Sequence, residues 1–163
     1  MSAARAIAAG MVTALLPLAA LAAAEDVVRV EPPALVVLRP GGEATAKIVV
    51  RVKRGFHVQA NPVLNPDLIP IVLSFEDSGP ARAGRPIYPA PKRMRLRGAD
   101  DDLLVLDGRF TIAVPIRLEG ATPPGELRLV GKLRYQACDD ERCLFPRTAR
   151  TEVPIRIPFA PAS

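Results

Sequence analysis

The sequence lacks tryptophan altogether and holds a single histidine, His57, in 163 residues. One histidine cannot build a multi-histidine metal centre. No GxxxxGK[ST], GxGxxG or GxSxG run occurs, which removes the usual sequence support for nucleotide hydrolysis, dinucleotide binding and serine-hydrolase chemistry. Proline, by contrast, is abundant: 18 in all, 17 of them after residue 24. A helix interior loses about 3 kcal/mol per proline, whereas turns and strand edges tolerate it, so an all-β chain is expected. What remains for chemistry is chiefly one pair of cysteines, Cys138 and Cys143.

Residues 1–24 have the pattern of a secretory signal peptide. Arg5 is the only charge, Ala6 to Leu21 is apolar and interrupted by Gly10, Thr13 and Pro17, and Ala22-Ala23-Ala24 precedes Glu25. Cleavage is expected after Ala24, leaving residues 25–163 as one domain without a transmembrane segment in a periplasmic, disulfide-permissive compartment. Processing leaves 21 basic residues against 17 acidic ones, a mild excess. An exported chain rarely meets nucleic acid, so the cluster Lys92-Arg93-Met94-Arg95-Leu96-Arg97 is read as a charged strand edge or a contact for an acidic partner.

Hydrophobic residues alternate with period 2. Ala44, Ala46, Ile48, Val50 and Val52 share one face, as do Phe110, Ile112, Val114, Ile116 and Leu118. Leu127, Leu129, Leu133 and Tyr135 repeat the pattern, and Val153, Ile155 and Ile157 close it. Shorter candidates are 27–30, 35–38, 56–59, 71–75 and 103–106, with turn signals such as Arg39-Pro40-Gly41-Gly42 and Asp107-Gly108 between them. Eight or nine short strands predict an immunoglobulin-like antiparallel β-sandwich, a small barrel being the alternative. Pro115 and Pro154 fall inside alternating runs and are expected on edge strands or at bulges. Residues 76–102 read as a long irregular segment, relieved at most by a short charged strand near Arg93 to Arg97.

Cys138 and Cys143 bracket Asp139-Asp140-Glu141-Arg142 at a connection between strands and should pair when oxidised. Two readings stand. As a staple, a loop of about six residues removes only about 2 kcal/mol of unfolded-state entropy. As a redox pair, the cysteines need an accessible sulfur and a second cysteine to resolve the mixed disulfide, and a surface connection supplies both. The acidic trio disfavours a thiolate, with Arg142 and Arg147 offsetting it, so low spontaneous reactivity and partner-dependent exchange are expected. Two thiolates with Met94 would suit copper(I), but nothing in the sequence places Met94 nearby, and neither metal nor cofactor is expected.

Tyr135-Gln136-Ala137-Cys138 followed by Cys143-Leu144-Phe145-Pro146 resembles the cysteine motif of the N-terminal periplasmic domain of the thiol:disulfide interchange protein DsbD. Gly55-Phe56-His57-Val58 and Asp107-Gly108-Arg109-Phe110 are similar in place and order, and the likeness spans roughly residues 27 to 158. The spacing between the cysteines is shorter than in the best-known member, which keeps the disulfide feasible. The resemblance implies an immunoglobulin-like domain of protein-disulfide reductase type that relays electrons. A membrane-embedded thiol donor would supply them, and periplasmic thioredoxin-like proteins serving disulfide isomerisation or cytochrome c maturation would receive them. By position, Cys143 would be the nucleophile toward substrate and Cys138 the resolving cysteine, with a cap loop falling within Tyr88 to Gly98. With no membrane or thioredoxin-like segment in these residues, the donor is expected to be a separate protein. The alternative, from the residues alone, is a non-enzymatic interaction module braced by a structural disulfide.

Four further residues could cap or shield the cysteines: Tyr88, Met94, Tyr135 and Phe145. His57 could shuttle a proton or ligate, but its strand context favours a half-buried residue with its polar edge hydrogen-bonded. Asp139, Asp140 and Glu141 read by default as a solvated loop, and a sharper hypothesis has them face the Arg93 to Arg97 edge and close a cover over the cysteines.

Overall fold

The computed structural model describes residues 26–77, 79–95 and 102–159. Residues 1–24, read above as an export signal, and Leu96 to Gly98 of the expected cap lie outside the described residues. Twelve strands and no helix occur among the described residues: β1 (Val28–Val30), β2 (Val36–Val37), β3 (Glu43–Val52), β4 (His57–Gln59), β5 (Val72–Phe75), β6 (Ala81–Ala83), β7 (Lys92–Met94), β8 (Leu103–Asp107), β9 (Arg109–Leu118), β10 (Gly125–Tyr135), β11 (Ala137–Cys138) and β12 (Arg147–Ile157). No helix among them is long and apolar enough to cross a membrane.

The strands form three four-stranded sheets, ordered β1-β3-β9-β6, β2-β12-β10-β5 and β11-β4-β8-β7. Every pairing between strands is antiparallel except β2 with β12, which is parallel. The period-2 faces decide how the first two sheets meet. Ile48, Val50, Ile112, Val114 and Ile116 from one sheet and Leu129, Leu133, Val153 and Ile155 from the other are buried in a single cluster. Each fully buried aliphatic side chain of this kind contributes about 1.5–3 kcal/mol, and a one-residue slip of any long strand would turn its set to water. The result is the all-β, immunoglobulin-like sandwich.

The third sheet carries the cysteines and is sewn to both others by the chain itself. β8 passes into β9 at Gly108, whose φ of 60° suits glycine and whose carbonyl accepts from Val52 N at 2.8 Å. β10 passes into β11 through the single residue Gln136. Cys138 therefore sits three residues beyond the end of a core strand.

Two expectations need correction. Pro115 and Pro154 are not on edge strands: β9 lies between β3 and β6, and β12 between β2 and β10. Each is at a local edge instead. The Pro115 carbonyl accepts from Gly84, just past the end of β6, and N and O of one strand residue point the same way, so its missing N–H faces a stretch with no strand partner. Pro154 shares its parity with Arg156, which bonds Leu38 on the β2 side, and it lies ahead of the start of β2 at Val36. Nor is the 76–102 segment irregular throughout. Beside the expected charged edge strand, β7 at Lys92–Met94, it contains β6 and a bridge between Ile87 and Ala113.

Gly131 marks a tight crossing in the second sheet. A Cβ there would lie 2.9 Å from Phe75 Cε1 and from Thr151 Cγ2, on the two flanking strands. Gly131→Val is expected to destabilise the fold by about 1–3 kcal/mol through overpacking. Urea unfolding of the variant beside the parent measures it.

Candidate functional site

The site begins where β10 runs out. Gln136 Nε2 donates to the Leu144 carbonyl at 3.1 Å, holding the strand end against the segment that follows Cys143. Between them residues 139–142 form a tight turn. Asp139 Oδ1 accepts from the backbone N–H of Glu141 at 2.9 Å and of Arg142 at 2.8 Å, and Asp139 N donates to the Arg142 carbonyl at 3.0 Å. These two N–H donors hold the Asp139 carboxyl below its ordinary range. With Leu144 N bonding the Ala137 carbonyl at 2.8 Å, Cys138 and Cys143 stand directly opposite, Cα atoms 3.9 Å apart, and are joined by a disulfide. The acidic turn that spacing alone leaves open between staple and redox pair is thus already held by backbone bonds and an aspartate.

The two sulfurs occupy unlike surroundings. Cys138 is 1% exposed, in β11, whereas Cys143 is exposed, at an isolated bridge opposite it ahead of β12. Beyond Cys143 lies Phe145, 91% exposed. An incoming thiolate from a protein partner would meet Cys143 first, next to an apolar anchor of the kind that protein contacts use.

Behind the disulfide, β4 pairs with β11 so that His57 is the cross-strand partner of Cys138, and β8 continues the row with Asp107 opposite His57. Directly opposed residues share a face, with Cβ atoms about 4.5–5.5 Å apart. Gln59, two residues along β4 on that same face, brings Nε2 to 3.8 Å from Cys138 Sγ. The expected half-buried, hydrogen-bonded histidine is corrected here: His57 is 2% exposed and its Nε2 has no hydrogen-bond partner. Gln59 Oε1 is likewise buried and unpartnered. Burial pushes the His57 pKa below 6.5, while the carboxylates of Asp140, Asp107 and Asp139 pull it back up in part. Sequence reasoning missed Gln59 and Asp107. The alternation of Phe56 to Gln59 places His57 and Gln59 on one face, but no local signal pairs that face with residue 138.

The four other candidates are scattered. Tyr88 is half-buried, its hydroxyl accepting from Leu73 N at 2.8 Å, and it lines a groove of 880 Å³ with Pro86, Ile87 and Pro115 that neither cysteine lines. Met94 lies on β7, at the opposite edge of the sheet from β11, three strand spacings or about 14 Å away. Two thiolates and Met94 are therefore not brought together. Tyr135 is buried at the end of β10, opposite Arg147, and burial raises its phenol pKa. Only Phe145 adjoins the pair. The hypothesised cover of acidic turn on basic edge is not formed by the described residues. Arg93 and Arg95 bond Asp102 at 3.3 and 2.8 Å, while Asp139 is engaged by its own turn.

The state of His57 makes a measurable prediction. Because its folded pKa is depressed, the unfolded chain binds the extra proton first as pH falls, so the stability held by neutral His57 is full above about 6.5 and lost below it. Melting temperatures should fall between pH 6.5 and the range where carboxylates titrate. His57→Phe, which also removes an orphaned polar atom, should flatten that part of the profile.

The family model described as "Thiol:disulfide interchange protein DsbD, N-terminal" matches residues 24–155. The N-terminal periplasmic domain of ScsB from Proteus mirabilis shares the fold at a TM-score of 0.52 and 9% identity, over 77% of this chain and 44% of that one, so the chain spans less than half of that structure. The reduced DsbD n-terminal domain of Neisseria meningitidis aligns at a TM-score of 0.46 and 16% identity, over 70% and 79% of the two chains. A comparison with curated proteins gave no match. The family match covers most of the sequence and includes both cysteines and the strands that hold them, and on that ground the chain belongs to the DsbD N-terminal family.

Proposed function

We propose that this domain relays reducing equivalents in the periplasm through the Cys138/Cys143 pair, taking them from a membrane-embedded thiol donor and passing them to thioredoxin-like exported proteins. Residues 1–24 serve as the cleaved export signal, and residues 25–163 act as one domain. Disulfide isomerisation and cytochrome c maturation are the processes such electrons would feed. Membership of the family supports the chemistry, and the observation that carries it to these residues is the unequal exposure of the two cysteines.

The exchange runs without cofactor. A thiolate of the donor attacks Cys143 Sγ, the Cys138–Cys143 bond breaks, and its electron pair stays on Cys138 Sγ. The donor's second thiolate then attacks its own partner sulfur in the mixed disulfide and frees Cys143 as a thiolate. Two electrons have moved inward, and the same steps reversed deliver them to an acceptor's disulfide. Phe145 and Pro146 give the partner an apolar surface beside the sulfur under attack. A purely bracing role is the weaker reading. The turn already holds its own backbone hydrogen bonds, and closing so short a loop adds only about 2 kcal/mol.

Capture tests the assignment. Reduced Cys138→Ser, mixed with an oxidised thioredoxin-like periplasmic protein whose resolving cysteine has been removed and whose other cysteine carries a small thiol leaving group, should form a stable mixed disulfide through Cys143. Reduced Cys143→Ser should form it at least about tenfold more slowly, because its thiol is buried. Equal capture by both variants, or none by either, would contradict the proposal.

A further inference from the structure

We propose that His57 is the proton acceptor for Cys138 when that thiol closes the disulfide, with Gln59 as a positioning residue that holds the sulfur in line. The inference deepens the exchange reading and rests on it. It starts from two buried polar atoms, His57 Nε2 and Gln59 Oε1, that have no hydrogen-bond partner while the disulfide is closed. Buried polar groups are nearly always paired, so an orphan in one state of a protein points to a partner in another. Reduction creates that partner. It turns Cys138 Sγ from a disulfide sulfur with no hydrogen into a thiol with an S–H donor. The residue across the ladder from this thiol is His57, and Gln59 already approaches the sulfur at 3.8 Å.

In the mixed disulfide between Cys143 and an acceptor, Cys138 is a buried thiol, and burial among apolar residues works against its ionisation. Neutral His57 takes the proton on Nε2, and the Cys138 thiolate attacks Cys143 Sγ. The bond from Cys143 to the acceptor sulfur breaks, and the electron pair leaves with the acceptor as a thiolate, which receives a proton from the imidazolium or from water. One S–S bond forms as one breaks, and the proton lost by Cys138 ends on the acceptor or in solvent.

The surroundings fit an acceptor that must hold a proton briefly. Burial keeps the resting imidazole neutral. Once protonated, it faces carboxylates on two elements: Asp107 from β8, and Asp139 and Asp140 from the turn. Asp107 also bonds Lys92 Nζ, which moderates its field, and on β4 itself Gln59 is the polar neighbour on the same face.

Ring closure can be followed without a protein partner. Reduced protein reacts with an aromatic disulfide, dithiobis(nitrobenzoate). Exposed Cys143 releases the first coloured thiolate and attack by Cys138 the second. His57→Phe should leave the first phase unchanged and slow the second about 100-fold near neutral pH, the low end of general-base effects. The gap should narrow as alkali ionises the thiol directly. Gln59→Leu should lower the second phase at every pH without changing the shape of the profile. A second phase unaltered in His57→Phe overturns the assignment. A mutation-free check uses the sole histidine of the sequence, whose imidazole ¹⁵N signals are unambiguous in the untagged protein. They should differ between the oxidised and reduced forms, and identical signals overturn the proposal. Failure of partner capture would overturn the exchange reading and leave these measurements standing.

Discussion

The alignment of Cys138 with His57 across β11 and β4 is the constraint on which the site depends. It is set by the core. β10 is locked in register by Leu129, Leu133 and Tyr135, and only Gln136 separates its last residue from β11. A slip of one position would turn Cys138 to the opposite face of its sheet and away from the histidine row. Sandwich packing and sulfur placement are thus one fact seen at two ends of one strand.

Electrostatics divides differently between scaffold and site. On the outer face of the first sheet, Glu31 pairs with Arg51 and Arg109, which lowers the glutamate pKa, yet the pairs are exposed and screened and hold little of the stability. Around the disulfide the charges act on the site itself. Asp139 shapes the turn through its carboxylate, and Asp140 and Asp107 partly offset the burial that lowers the His57 pKa. The acidic turn thus has two uses: it fixes the hairpin geometry and sets the field behind Cys138.

Much of this was legible in the sequence because half-buried strands write their inward face every second residue. Ala46 to Val52 and Ile112 to Leu118 show it plainly, and both are buried as read. The short strands were less visible, since two or three residues carry too little alternation; β6 was hidden in a glycine- and proline-rich stretch, in which only the charges of β7 showed. The prolines misled because a strand inside a sheet can still be an edge locally, wherever its neighbour is shorter. At the site, the cysteine pair was readable from spacing, but its asymmetry was not. Nothing local in the sequence distinguishes a buried Cys138 from an exposed Cys143, or an exposed Phe145 from a packed one. The histidine row depends on strand pairing between residues far apart in the chain, which periodicity does not encode.

The central claim is that a disulfide closing so short a hairpin works by exchange. Its reduction potential tests this most directly, measured on the purified domain by alkylation and mass shift across graded thiol buffers. The account predicts a value in the range of exchange proteins, roughly −270 to −120 mV. A potential well below about −300 mV would mark a structural bridge and contradict it.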